Sequence, residues 1–299
     1  MSLSLAVFAA LGASASSAVA SALLHRSAVD ATRAETQRGG TAHPLLAFAR
    51  ATATHRLWLT AVLMQATGFL LHAVALHAGQ LAFVQPMLVC ALLFALPFNR
   101  VLLGEPVTAR ELYLAGALVV GLCGFLFLAT PSLDPPVSAS ADPGPATAAG
   151  LIGVIAVVCC LIGAGRQRSS RSAALLGAGA GVAFAGQAAL LKACTAVFAH
   201  RPVDLLTTWQ LYALIVVGLS AVVLNQLAFR AGPLSASLPV STTVNPVLGV
   251  VLGAAVYDEN LRHTTGAIIG ELCCLALLTV SALALTRLTS SSRAALSEN

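Results

Sequence analysis

The sequence predicts an all-α integral membrane protein with nine transmembrane helices, arranged as two inverted four-helix repeats joined by a connector helix. Three observations predict it. The chain of 299 residues is 58% hydrophobic and only 9% charged. A soluble domain carries roughly 25% charged residues, so the solvent of this chain is lipid. Secondly, the chain contains itself twice. The stretch from Ala6 to Val29 recurs at an offset of 167, with Gly12 on Gly179, Leu23-Leu24 on Leu190-Leu191 and His25 on Lys192. Gly79-x6-Pro86 recurs as Gly232-x6-Pro239, and Glu105…Gly116 as Glu259…Gly270. A duplicated apolar unit points to a transporter of two related halves. Thirdly, the arginines fall on one side of the predicted spans.

A membrane helix needs roughly 20 apolar residues. Nine segments meet or approach that length: 3–24, 57–77, 80–99, 112–130, 147–165, 172–195, 206–229, 233–256 and 264–286. The first has Ala and Ser near its end, as a secretory signal does, but no basic n-region. Its repeat partner is internal, so it reads as a retained helix. With the N-terminus outside, the cytoplasmic side holds Arg26, Arg33, Arg38, Arg50, Arg56, Arg100, Arg110, Arg166, Arg168, Arg171, Arg230, Arg287 and Arg293. The outer side holds Lys192, Arg201 and Arg262. Removing one helix would scramble this asymmetry, so the positive-inside rule supports nine spans with the C-terminus in the cytoplasm.

The organisation follows. Residues 1–130 form the first four-helix repeat, with a basic cytoplasmic loop at 26–56. Residues 131–171 hold an external Pro/Ser-rich linker, 131–146, and the connector helix. Residues 172–287 form the second repeat, and 288–299 a cytoplasmic tail. Four helices return the chain to its starting side and the connector then crosses once, so the second repeat begins on the opposite face. Within the loop, His43 to Ala51 (HPLLAFARA) reads either as a short interfacial helix or as a tether. Arg in preference to Lys, with abundant Ala, Gly and Leu, points to a GC-rich bacterial genome and so to a bacterial plasma membrane.

Other classes find no support. The net charge of +5 does not form a basic patch interleaved with aromatics, so no nucleic-acid partner is expected. All seven cysteines lie in apolar segments without CxxC spacing, so no metal, cofactor or redox motif is expected. There is no Walker A, GxSxG or HExxH sequence, and no enzyme is expected. The expected partners are lipid and a small-molecule or ion substrate of a secondary carrier working by alternating access. The alternatives are a divalent-cation channel or a non-transporting membrane subunit. Oligomeric state is open, a homodimer included.

Gly79 to Thr108 (GQLAFVQPMLVCALLFALPFNRVLLGEPVT) is followed by a Gly-rich helix. Gly232 to Leu261 (GPLSASLPVSTTVNPVLGVVLGAAVYDENL) places Pro246 before Glu259 by 13 residues. These two runs resemble the helix–Glu–helix hairpins of the drug/metabolite transporter superfamily, and the resemblance spans both halves. That superfamily's common layout is five plus five helices. Four plus one plus four is more similar to the NIPA-like magnesium transporters. The resemblance implies an exporter of metabolites or drugs, or, through the NIPA-like branch, Mg²⁺ transport.

Ionisable groups in lipid cost at least about 2.5 kcal/mol and are functional candidates by default. Glu271 is the one deep carboxylate, about 10 Å into the last helix at 1.5 Å per residue. Such a group suits a proton-coupled carrier, alternating between protonated and substrate-bound forms. Its repeat position is Ala117, so the site is asymmetric. Lys192 and its mate His25 either snorkel to the interface or gate opposite mouths of one pathway. A Lys192–Glu271 pair is one way to tolerate both charges. His72 and Asn225 are repeat mates, and Gln65 shares a helix face with His72. Gln187, Gln226 and Asn245 add amides, which serve as ligands or as interhelical hydrogen bonds. Pro86, Pro239 and Pro246 remove backbone donors and mark hinges or packing kinks. Glu105 and Glu259 are expected at interfacial hairpin turns as caps.

Overall fold

The computed structural model describes residues 3–38, 56–103, 108–128, 143–165, 169–232, 234–259 and 265–297. The helices are α1 (Leu3–Arg38), α2 (Arg56–Ala78), α3 (Leu81–Leu88), α4 (Cys90–Leu103) and α5 (Ala109–Leu128). They continue as α6 (Pro143–Ala164), α7 (Ser170–His200), α8 (Trp209–Ala231), α9 (Leu234–Val256) and α10 (Thr265–Ser297). A short 3-10 turn, Asp204–Thr207, lies between α7 and α8. Among the described residues there is no strand, and nine segments are long and apolar enough to cross a membrane, α3 and α4 together forming one of them. The protein is therefore built as a helical membrane protein, as its composition requires.

Several helices outrun their apolar cores. α1 continues to Arg38 and α10 to Ser297, past the predicted ends at 24 and 286. Neither extension contains Gly or Pro, so nothing in the sequence stops the helix where the lipid ends. α6 starts at Pro143, inside the predicted linker, because proline fits the first helical turn. It ends at Gly165, whose φ of +59° suits a residue without Cβ. The predicted third span divides at Val89, whose N–H turns back to the Pro86 carbonyl. The Ser14 hydroxyl, bonded to Ala10 O, also lies 3.2 Å from the Met87 carbonyl beside this break. The linker up to residue 142, the segment 43–51 and the turn carrying Glu105 lie outside the described residues.

α5 begins with a capping box that Thr108-x-x-Glu111 writes into the sequence. Glu111 Oε2 accepts from the Thr108 N–H at 2.8 Å, and the Thr108 hydroxyl accepts from the Glu111 N–H at 3.3 Å. Thr108→Ala is expected to cost about 1 kcal/mol, read as a small fall in unfolding temperature with no effect on assembly. A fall as large as that of a buried-charge variant would contradict a cap-only role.

Packing is set by small residues. α1 lies along α2, and α7 along α8 and α9. α5 lies along α10, and α3 against α9. Where α7 meets α9, a Cβ on Gly177 would stand 2.6 Å from Ser237 O, and one on Gly181 2.8 Å from Val244 Cβ. Where α5 meets α10, a Cβ on Gly121 would stand 2.9 Å from Leu278 N. Lipid supplies no hydrophobic drive between helices, so close backbone approach is what gains contact energy. The main core gathers Leu76, Leu81, Met87, Leu118, Leu191 and Leu278 from five helices. α6 lies outside this core and packs mainly along α7.

Candidate functional site

α9 ends at Val256, and the chain reverses through Asp258, which adopts a left-handed φ of 47°. Asp tolerates that conformation better than most residues. The reversal returns the Glu259 N–H to the Gly253 carbonyl at 3.1 Å. It also carries the Glu259 side chain inward, so the residue is only 7% exposed. Gly253 makes room: a Cβ there would overlap the carboxylate and stand 2.8 Å from Ala82 N.

The Glu259 carboxylate meets the start of α3. Its two oxygens accept from the N–H groups of Leu81 at 2.6 Å and Ala82 at 2.7 Å. These are orphan donors of a helix N-terminus, where a negative charge is favoured. Lys192, on α7, completes the group. Its ammonium donates to Glu259 Oε1 and to Gly79 O, the latter at 3.2 Å, and it is 8% exposed. The Tyr257 ring covers the ammonium, 5.1 Å from Nζ to its centroid. The Tyr257 hydroxyl donates to Ala189 O on α7 at 2.5 Å. Burial, and then the neighbouring Glu259 carboxylate, push this phenol well above its ordinary range, so it stays a donor.

Lys192 is therefore neither snorkelling nor paired with Glu271. It is clasped by Glu259, and the pair ties α7 and the end of α9 to the start of α3. Glu259 caps, as its turn position suggested, but it is buried and caps a helix 177 residues away in sequence. Opposite charge and backbone donors offset the desolvation that either group would suffer alone. Tyr257 belongs to this group and the sequence reading missed it. The YDE run at Tyr257 to Glu259 was its only local sign.

Glu271 is 6% exposed, and its Oε1 has no hydrogen-bond partner. It stands one turn before Leu275, which packs with Ala82, Phe125 and Val250. Among the described residues, Glu271 makes no hydrogen bond or ion pair with the clasp residues. His72 Nε2, Asn225 Oδ1 and Asn245 Oδ1 are likewise buried without a partner. Gln187 packs against Gly218, where a Cβ would stand 3.2 Å from its Nε2. Gln65 and Gln226 are exposed. Gln226 falls off the stripe of Leu214, Ala221, Leu224 and Ala228 that α8 buries. Pro86, Pro239 and Pro246 all sit buried inside helices. Glu105 and the His25 side chain lie outside the described residues.

Gln85, which the sequence reading passed over, is the most enclosed amide. It is 1% exposed, and neither its oxygen nor its nitrogen has a partner. An amide directly before a helix-breaking proline, in an apolar run, was the available signal. Among the described residues, no three His, Cys, Asp or Glu side chains gather as a metal site.

The comparisons with known proteins add one relative. An uncharacterized protein of Corynebacterium glutamicum is 28% identical over 232 residues, covering 77% of this chain and 79% of its own length. No family model and no solved structure matches the chain.

Proposed function

We propose that this protein is a secondary transporter of the drug/metabolite type, working by alternating access in a bacterial plasma membrane. The observation that carries the reading is the clasp. Lys192 and Glu259 belong to the second half of the chain, and the N–H groups they hold belong to the first. Alternating access needs a contact between halves that seals one mouth and can be broken. A buried ion pair on a helix terminus meets both needs. It is strong when assembled, and each partner has an alternative in water.

The packing supports two related halves. By the repeat offsets, α1 corresponds to α7, α2 to α8, α3 with α4 to α9, and α5 to α10. The α1–α2 contact then corresponds to α7–α8, while α3–α9 and α5–α10 are contacts between mates. Such pairing is expected of an axis passing between the halves, and the arginine count makes the halves inverted. The same offsets carry Lys192 onto His25 and Glu259 onto Glu105, so similar chemistry is written into the other hairpin. With the N-terminus outside, the clasp closes the outer mouth.

Glu271, buried and with an unpaired oxygen, is the candidate coupling group. Flux from proteoliposomes loaded with a mixture of metabolites, with and without an imposed pH gradient, tests the reading. Wild type is expected to release particular solutes faster than protein-free vesicles. Glu271→Gln should retain exchange and lose the response to the gradient. Release no faster than from empty vesicles would overturn the transporter reading. An unchanged gradient response in the variant would overturn only the coupling role.

A further inference from the structure

The interface between α3 and α9 carries polar atoms that the clasp does not use. α9 presents Asn245, Gly249 and Gly253 at four-residue spacing, on one stripe. Gly253 faces Ala82, and Gly249 faces Gln85 so closely that a Cβ would stand 2.8 Å from Gln85 Cβ and 3.2 Å from its amide carbon. The two helices therefore run antiparallel here, and α3 past Gln85 heads toward Asn245. Asn245 stands about 6 Å along α9 from Gly249. Gln85 and Asn245 thus lie about one helical turn apart along this interface, and both carry buried polar atoms without a partner.

The unmet groups define a ligand. Gln85 Oε1 needs a donor, Gln85 Nε2 needs an acceptor, and Asn245 Oδ1 needs a second donor. A bare cation would answer the two oxygens and leave the amide N–H groups orphaned. A carboxylate would answer Nε2 and repel both oxygens. A primary amide answers all three, with its carbonyl accepting from Nε2 and its two N–H groups donating to the oxygens. We propose that Gln85 and Asn245 form a recognition site for a small neutral solute, or the neutral end of one, bearing a primary amide or urea-like group. This deepens the transporter reading by naming its substrate class, although binding itself requires no transport.

Thermal unfolding of the purified full-length protein in detergent tests the site. Millimolar acetamide is expected to raise the unfolding temperature saturably, by about 2–4 °C. N,N-dimethylacetamide, which has no N–H, and acetate should do nothing. Gln85→Leu should remove the response, and Asn245→Ala should weaken it and serves if the first variant does not fold. Equal responses to acetamide and its dimethyl form would overturn the proposal. So would no response to any solute together with a more stable Gln85→Leu, since the amide would then be merely hydrated. Acetamide binding without any flux would sink the transporter reading and leave the site. Flux indifferent to amides, with no thermal response, would do the reverse.

Discussion

Replacing Lys192 by Met will lower the unfolding temperature of the detergent-solubilised protein by about 10 °C, because breaking a buried pair costs about 3–5 kcal/mol. Glu259→Met will cost more. The Lys192 variant leaves a carboxylate that still accepts from Leu81 and Ala82. The Glu259 variant leaves an unpaired ammonium and two uncapped N–H groups together. The double variant will be less damaged than the sum of the singles, by about 2–3 kcal/mol, since it removes both charges from the same enclosure. Thermal unfolding of all four proteins measures this cycle directly. Additive losses would mean that the two side chains do not depend on each other, and the clasp would lose its role as a seal.

Leucine at Gly177 is the second severe change. A Cβ there already meets Ser237 O at 2.6 Å and Ser237 Cα at 3.1 Å. Those are backbone atoms of α9 and cannot swing aside, so α7 and α9 must separate. Overpacking of this kind costs about 1–3 kcal/mol or more, and here it also opens the face that holds Lys192 in register. Loss of the monodisperse protein peak on gel filtration is expected. Gly186→Ala is the control, because its nearest neighbour would be Val217 Cγ1 at 3.8 Å. If Gly177→Leu behaves like that control, close α7–α9 packing is not what assembles the protein.

The two variants probe different levels of what the sequence reveals. Glycine patterning such as GAGAGVAFAG from Gly177 is visible in the chain, and it does mark close helix packing. Which helix it meets is not visible, because Gly177 and Ser237 are 60 residues apart. The partner of Lys192 shows the same limit. Glu271 and Glu259 lie on neighbouring segments, and composition favoured the one deeper in an apolar run. The actual partner depends on Asp258 turning left-handed and on Gly253 leaving space, two backbone facts that hydropathy does not encode. The break at Val89 was hidden for a related reason. Pro86 predicted a kink, but a kink becomes a break only when neighbours such as Ser14 take up the backbone groups.

Helix number and the location of the apolar spans were fixed by composition alone, since each depends on the transfer of local segments into lipid and on no distant contact. The polar candidates other than Gln85 were also legible as types. Their sorting was not. Gln65 and Gln226 reach the surface, while Gln85, Asn245 and Glu271 are enclosed, and only tertiary packing decides which face of a uniformly apolar helix turns inward. Lipid makes that face invisible in the sequence, because both sides of a buried membrane helix are apolar and an amphipathic stripe has little to report.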